Sequence, residues 1–388
     1  MNSPTRSTAF ARGALCAPRR GEEAPVPRRL RLLLAAVCTG WGVFIMSTTR
    51  SAFATDGGVG ARPLGALPVF NKTKVKWKGW GRKITLVLAV RRADQEGYPR
   101  LPGLMGTLSR YLAAEMVHRQ LVVAPDADAD AIRAHPALAR APWPLEIVPD
   151  SSLLSQSVDH LEGLLPASER AAAGGRGASY RAQMLLKLAV ARRVTTAFYL
   201  VLDADVLCTR KTGLRDIIVG GRGIYQAEEL GTNTRHRREW WDAADALLDA
   251  KGCVTSQPQQ RVIGVTPALL STEVSLSLIR RLNASAGGGG GGWDVSLFHE
   301  LRERGRDWTE YTLYWTHACV SGLAKTRHVP SPRKLKLYDG DSGFEWNSWR
   351  EWSATRAFAD ESFVFSVLQS ISGVDPAWVS QQIAPFVD

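Results

Sequence analysis

Cysteine is scarce. The chain has five in 388 residues, Cys16, Cys38, Cys208, Cys253 and Cys319, and no C-x-x-C pair. That pattern excludes a disulfide framework and a cysteine zinc site, and leaves open one bridge among the last three. Zinc-finger spacing and a helix-turn-helix signal are both missing, so no nucleic-acid partner is expected. No internal repeat is visible, which removes solenoids and propellers. Long apolar runs are missing too: the best candidate, Leu32–Met46, is shorter than the roughly 20 residues of a typical membrane span. Acidic residues are rare at the start, where residues 1–31 hold seven Arg and two Glu.

What remains is a globular composition. Hydrophobic residues make up 45% and charged residues 22%, which argues against global disorder. Of the net charge of +12, +5 lies in the first 31 residues, so the rest carries a mild excess suited to anionic substrates or a membrane surface. Thirteen Trp, many after residue 240, are read as packing more than as ring stacking. Residues 1–29, rich in Arg, Pro, Ala and Ser, read as a disordered basic tail facing the cytosol. The segment 30–49, whose uncharged run Leu32–Met46 is preceded by Arg28, Arg29 and Arg31 and followed by Arg50, reads as a signal-anchor with the remainder lumenal, a single-pass type II protein of the Golgi or ER membrane. The rival reading of this Arg- and Ser-rich start is a chloroplast transit peptide. Residues 50–79 read as a stem. Asn71-Lys-Thr73 and Asn283-Ala-Ser285 are N-glycosylation acceptors.

From residue 80 onward the patterning alternates. Strands are expected at 84–90, 120–124, 145–148, 198–208, 223–228, 261–265 and 363–368. Helices are expected at 102–119, 129–138, 179–193, 236–250, 273–282, 295–304, 309–323 and 376–386. Residues 161–178 and the glycine run 287–292 read as loops. Strands alternating with helices signal a parallel sheet with crossovers, an α/β class.

The chemistry gathers in Phe198-Tyr-Leu-Val-Leu-Asp203-Ala-Asp205-Val-Leu-Cys208. An apolar run ending in two carboxylates one residue apart places both at the carboxyl end of a buried strand, where open α/β sheets collect ligands. In an extended backbone the two side chains share one side. Two hard oxygen donors there suit Mg2+ or Mn2+ shared with substrate phosphates. Lys187, on the preceding helix, is in reach of such phosphates, and Arg91 and Arg92 follow the first strand at the same edge.

Several short blocks in order carry a resemblance: Tyr180-Arg-Ala-Gln183-Met-Leu-Leu-Lys187-Leu188, Tyr199–Asp205, His236–Trp241, Trp308-Thr-Glu310-Tyr311-Thr-Leu-Tyr314 and Phe365-Ser-Val-Leu-Gln369-Ser370. Over about residues 82–388 the chain resembles GT-A glycosyltransferases, the nucleotide-diphospho-sugar transferase superfamily, and more closely a group of uncharacterised glycosyltransferase-like proteins within it. It departs from that group at Tyr180, where the group typically has Trp, and at Met184, where it has a second Gln. The resemblance implies a Rossmann-like, mostly parallel sheet flanked by helices, with a helical acceptor half toward the carboxyl end. It implies transfer of a sugar from a nucleotide-sugar donor to a glycan, protein or lipid acceptor, with Mn2+ or Mg2+ as cofactor. Asp205 is then the direct metal ligand, and Asp203 a second ligand or a contact to ribose or a metal-bound water. Gln183, Lys187 and Arg91 fall on the donor side, His328 is a candidate further ligand, and Glu310 is the candidate acceptor-site residue or base, ahead of Asp294. Two competing readings are a catalytically inactive carbohydrate- or nucleotide-binding protein on the same fold and a haloacid-dehalogenase-like phosphatase. The phosphatase fits poorly, since Leu207 stands where Thr or Val belongs and at least three strands precede the motif.

Overall fold

Every residue of Ile84–Ala89 (β1) is buried, as happens in a strand covered on both faces of a sheet. The computed structural model describes residues 83–91, 98–164, 177–226, 235–250, 253, 266–285, 292–304, 307–332, 335–338 and 348–387. All lie in the unit Leu64–Asp388. After β1 come helix α1 (Leu101–Tyr111), β2 (Val117–Ala124), β3 (Leu145–Pro149), α2 (Gly177–Ala189), β4 (Phe198–Leu202), β5 (Val206–Cys208), β6 (Ile218–Val219) and β7 (Arg222–Tyr225). Then follow α3 (Arg235–Leu247), β8 (Ala268–Ser271), α4 (Thr272–Ser285), α5 (Trp293–Arg304), α6 (Glu310–Val320), β9 (His328–Pro330), β10 (Lys336–Tyr338), β11 (Phe363–Val367) and α7 (Pro376–Val387).

The central sheet has the order β3-β2-β1-β4-β8. The first four strands are parallel and β8 runs antiparallel to β4. This is the expected α/β class. Two smaller sheets, β10-β11-β5 and β6-β7-β9, join the helices of the later half. Side-chain alternation divides the core between the two faces of the central sheet. Leu86, Leu88, Leu200 and Leu202 pack toward α1 and its Leu104 and Leu108. Val87, Ala89, Tyr199 and Val201 pack toward the face holding α2, α4 and α6, with Leu185, Leu278 and Tyr314.

The chain order places a switch point in this sheet. From β1 the chain moves outward through β2 to β3, then returns past β1 to lay down β4 on its other side. The crevice beyond the carboxyl ends of β1 and β4 is where such sheets take ligands.

Three sequence expectations need correction. The helix expected at 102–119 stops at Tyr111, because the backbone of Thr212 captures this stretch: Ala113 N–H donates to Thr212 O at 2.9 Å and Thr212 N–H to Tyr111 O at 2.8 Å. The apolar spacing continues to Met116, but Val117–Arg119 already belong to β2. The single strand expected over 198–208 breaks after Leu202 into β4 and β5, which belong to different sheets. The strand beside β4 is Ala268–Ser271, four residues that are too few to show alternation. Helix Val158–Gly163 occupies the start of the region read as a loop at 161–178. The strand expected at 261–265, most of the glycine run, the basic tail, the anchor, the stem and Asn71 lie outside the described residues. No helix among the described residues is long and apolar enough to cross a membrane.

The one cysteine bridge left open by the sequence joins Cys253 to Cys319 of α6, 66 residues apart, and Cys208 is buried and free. Closing a loop of that length restricts the unfolded chain and is worth about 2–4 kcal/mol. Cys319→Ser should lower stability by that amount in denaturant titrations, as should reductant on the wild type. Two free thiols at these positions by mass spectrometry would refute the bridge.

Candidate active site

The site begins where β4 ends. Leu202 packs toward α1, so alternation turns Asp203 toward the opposite face, the one covered by α2 and α6. There Lys187, on the last turn of α2, meets Asp203 with its ammonium 2.8 Å from Oδ1 and 3.1 Å from Oδ2. The same ammonium lies 3.4 Å from Glu310 Oε1 and donates to Thr266 Oγ1 at 3.2 Å. The Tyr311 hydroxyl bonds Thr266 Oγ1 at 2.8 Å, and its ring lies under the Lys187 ammonium at 5.8 Å. Three other parts of the chain thus converge on the buried ammonium of α2.

The electrostatics follow from that burial. Desolvation pulls the Lys187 ammonium down, but the charge of Asp203, with Tyr311 and Glu310, outweighs it and holds Lys187 well above the ordinary lysine range. Burial raises the Glu310 carboxyl, against the opposing pull of Lys187. Two carboxyl groups face one ammonium, so acidic groups outnumber the basic one in this cluster.

Asp205 departs from the expectation of two carboxylates on one side of an extended strand. Val206 N–H donates to Asp203 O at 3.2 Å, a turn that redirects the chain between the two. Asp205 Oδ2 accepts from Ser370 N–H at 3.1 Å, and Leu368 N–H donates to Asp205 O at 3.0 Å. The tail block just after β11 therefore clasps the second carboxylate. Arg100 steadies that tail from beneath, donating to Val374 O at 2.7 Å and Leu368 O at 3.4 Å. Arg100, Asp205, Leu368 and Val379 line one small pocket. The Asp205 carboxyl is pushed up to about 7, by burial first and then by the charge of Asp203, so the two acids remain close enough to repel.

Gln183 spans the switch-point crevice. Its Nε2 donates to Ala89 O, at the end of β1, at 3.3 Å and to Asp203 Oδ1 at 3.5 Å. Arg91 lies at the same edge, where its charge acts on the buried Asp150 after β3. Arg92 is outside the described residues.

Two candidates take other positions than expected. His328 is buried between β7 and α6, with Nδ1–H donating to Gly223 O at 3.3 Å and Nε2 accepting from the Tyr314 hydroxyl at 2.7 Å. That hydroxyl itself accepts from Ser271 N–H at 2.7 Å. Both ring nitrogens are used, and the ring packs on Phe198 at the start of β4. Five residues of strand, roughly 16 Å at ~3.3 Å per residue, separate Phe198 from Asp203, so His328 is not a ligand beside the carboxylates. Glu310 does begin a helix, whose Thr309 cap accepts from Thr312 N–H at 3.1 Å. Its carboxylate, however, is 4% exposed and pairs with Lys187, so it does not stand free to meet an acceptor hydroxyl. Asp294, the runner-up, is fully buried and accepts from Ser155 N–H and Oγ.

Whether a divalent cation fits is a question of donors. Asp203 and Asp205 offer hard oxygens on one turn, and the carboxyl of Asp205, raised by burial first and by the charge of Asp203 second, is one that a bound cation relieves. Among the described residues no group of three or more His, Cys, Asp or Glu side chains gathers as a metal site. The pair fits a cation completed by substrate oxygens and water, as Mg2+ usually is. Sequence reasoning missed Thr266, Tyr311, Arg100 and Ser370. Only Ser370 and Tyr311 had a signal, by lying in blocks that carry the resemblance.

Residues 81–388 match a protein family described as a family of unknown function, DUF6492. No curated protein matches the chain by sequence. Among solved structures the chain is similar to mouse xyloside xylosyltransferase 1 in its apo form, at 15% identity and a TM-score of 0.39 over 74% of this chain and 97% of that one. It is similar to the apo glycosyltransferase GlyE of Streptococcus pneumoniae TIGR4, at 12% and 0.35 over 78% of this chain and 63% of that one. A third is the galactosyltransferase LgtC in complex with donor and acceptor sugar analogues, at 11% and 0.39 over 78% of this chain and 96% of that one. All three are glycosyltransferases. At such low identity and TM-score, what this chain does must come from its own side chains.

Two measurements probe the buried groups. Lys187→Met strands two carboxylates and should cost about 3–5 kcal/mol, whereas adding Glu310→Gln should cost less than the sum of the single changes in urea titrations. Strict additivity would mean that the pair does not interact. Burial also holds the His328 imidazole down at about 3, against 6.5 for a free histidine. Between those values the unfolded chain binds the extra proton, so stability falls as pH drops from about 6.5 toward 3. His328→Gln should flatten that acid loss. A variant whose denaturation midpoint still falls as steeply would clear His328 of it.

Proposed function

The chain belongs, through residues 81–388, to the DUF6492 family of unknown function, and from its site we propose that it is a metal-dependent glycosyltransferase moving a sugar from a nucleotide-sugar donor to an acceptor. The observation that supports this most directly is positional. Asp203 and Asp205 follow the strand that borders the topological switch point, and Gln183 bridges the crevice there between β1 and Asp203. Mg2+ or Mn2+ between the two carboxylates would offset the charge that accumulates on a departing diphosphate. In this reading Asp205 is the principal ligand, fixed by the Ser370 amide through Oδ2. Asp203 is the second ligand or the contact to ribose, and its orientation is set by Lys187. Arg91 and Gln183 face the nucleotide from the β1 side.

Lys187 and Glu310 are positioning residues in this reading. The ammonium is 4% exposed and gripped by Asp203, so it shapes the metal-binding turn and does not reach out to a phosphate. Glu310 keeps that ammonium charged and in place. Its burial argues against a freely acting carboxylate base and shifts the weight of the chemistry to leaving-group stabilisation.

We also propose that the domain faces an oxidising lumen behind a type II anchor in segment 30–49. The Cys253–Cys319 bridge supports that placement, because disulfides persist in such compartments.

The test is binding of nucleoside diphosphates to the full chain by calorimetry, with and without Mn2+. The wild type should bind one of them only with the cation. Asp205→Asn should weaken that binding by at least about 100-fold, the scale of losing a charge-assisted contact, and Asp203→Asn less. Unchanged Mn2+-dependent affinity in Asp205→Asn would defeat the assignment.

A further inference from the structure

Among the described residues Tyr180 is the one aromatic among the exposed large apolar side chains, at 43% exposure. Its place is not random. Tyr180, Gln183 and Lys187 stand three and seven residues apart on α2, which puts them on one helix face. Along that face exposure falls from the open Tyr180, through the half-buried Gln183, to the buried Lys187. The stripe thus leads from solvent to the Asp203–Lys187–Glu310 cluster, with Tyr180 at its outer end. Desolvation first, and then the charge of Glu310, pushes the Tyr180 phenol up to about 12.

This end of α2 is also held firmly. Arg181 donates to Trp308 O at 2.8 Å and pairs with Asp307, which takes the Trp240 indole N–H at 2.9 Å. The Arg181 guanidinium lies over the Tyr180 ring, 5.9 Å from its centroid. An aromatic ring held rigidly at the mouth of a site loses little entropy when a ligand packs on it.

We propose that Tyr180 is a stacking platform for a sugar ring whose hydroxyls reach the acidic cluster; the proposal rests on the transferase reading above. The ligand class follows from charge. Two carboxylates against one ammonium repel a phosphate, but they accept hydrogen bonds from hydroxyls, and Asp203 is 29% exposed and open to them. A pyranose combines an apolar C–H face for the aromatic ring with hydroxyls at its edge for Asp203. That ring belongs either to the donor nucleotide sugar or to the acceptor, and the same chemistry serves both.

Saturation-transfer NMR on the full chain separates these sources. The probes are UDP and GDP, a panel of UDP- and GDP-hexoses with Mn2+, and a panel of methyl hexosides, each against wild type, Tyr180→Ala and Tyr180→Trp. Tyr180→Ala should lose about tenfold in affinity for at least one hexose-bearing probe, the worth of one aromatic contact. Tyr180→Trp should keep it, and bare UDP or GDP should bind all three proteins alike. A loss confined to nucleotide hexoses assigns the ring to the donor, and a loss confined to methyl hexosides assigns it to the acceptor. If Tyr180→Ala binds every hexose like the wild type, or loses the bare nucleotide equally, the platform is refuted while the transferase reading stands. A wild type that binds no nucleotide and no hexose refutes both.

Discussion

One buried ammonium organises this protein. Taking a lysine head group out of water costs several kcal/mol unless opposite charge and hydrogen bonds replace the lost hydration. Lys187 meets that demand with Asp203 from the end of β4, Glu310 from the start of α6 and Thr266 from the approach to β8. Each partner comes from a different part of the chain, so satisfying the lysine fixes their mutual placement. The cluster also holds two acidic groups against one basic one. Asp203 therefore stays available for a further cation or for hydroxyl groups, and that acidic excess is what makes a structural ion cluster a candidate site.

The second constraint is the turn at 203–206. A straight strand would carry both carboxylates to one face and into one sheet. The turn instead assigns Asp203 to the α2–α6 face and gives Asp205 to the carboxyl-terminal tail, where Ser370, 165 residues later, supplies an amide. The small sheet β10-β11-β5 exists because β5 leaves the central sheet at this point. Arg100 couples the start of α1 to the same tail. The candidate site thus joins the start of α1 to the tail after β11, and its two acids have separate partners. Asp203 is matched by an ammonium, while Asp205 keeps a raised carboxyl that only a cation or a proton relieves.

Much was determined by the sequence alone. The α/β class followed from strands and helices that alternate at periods the chain cannot disguise. β1, β3, α2, α4, α6 and α7 stand close to where apolar spacing puts them, because each buries one stripe or both faces and the pattern of burial is written residue by residue. The Asp-x-Asp at a strand end, Gln183 and Lys187 on one helix face, and Glu310 at a helix start were all legible for the same local reason. Tertiary structure decided what local pattern does not contain. A helix stopped at Tyr111 because a distant backbone, that of Thr212, offered better partners than the next turn. A strand broke after Leu202 because its second part pairs with β11. His328, plausible as a ligand by residue type, was consumed by Tyr314 and Gly223. Glu310, plausible as a base by position, was consumed by Lys187. In each case the deciding partner lies far along the chain, and the free energy of a buried polar group depends on which partner reaches it, which only the folded arrangement of all the elements specifies.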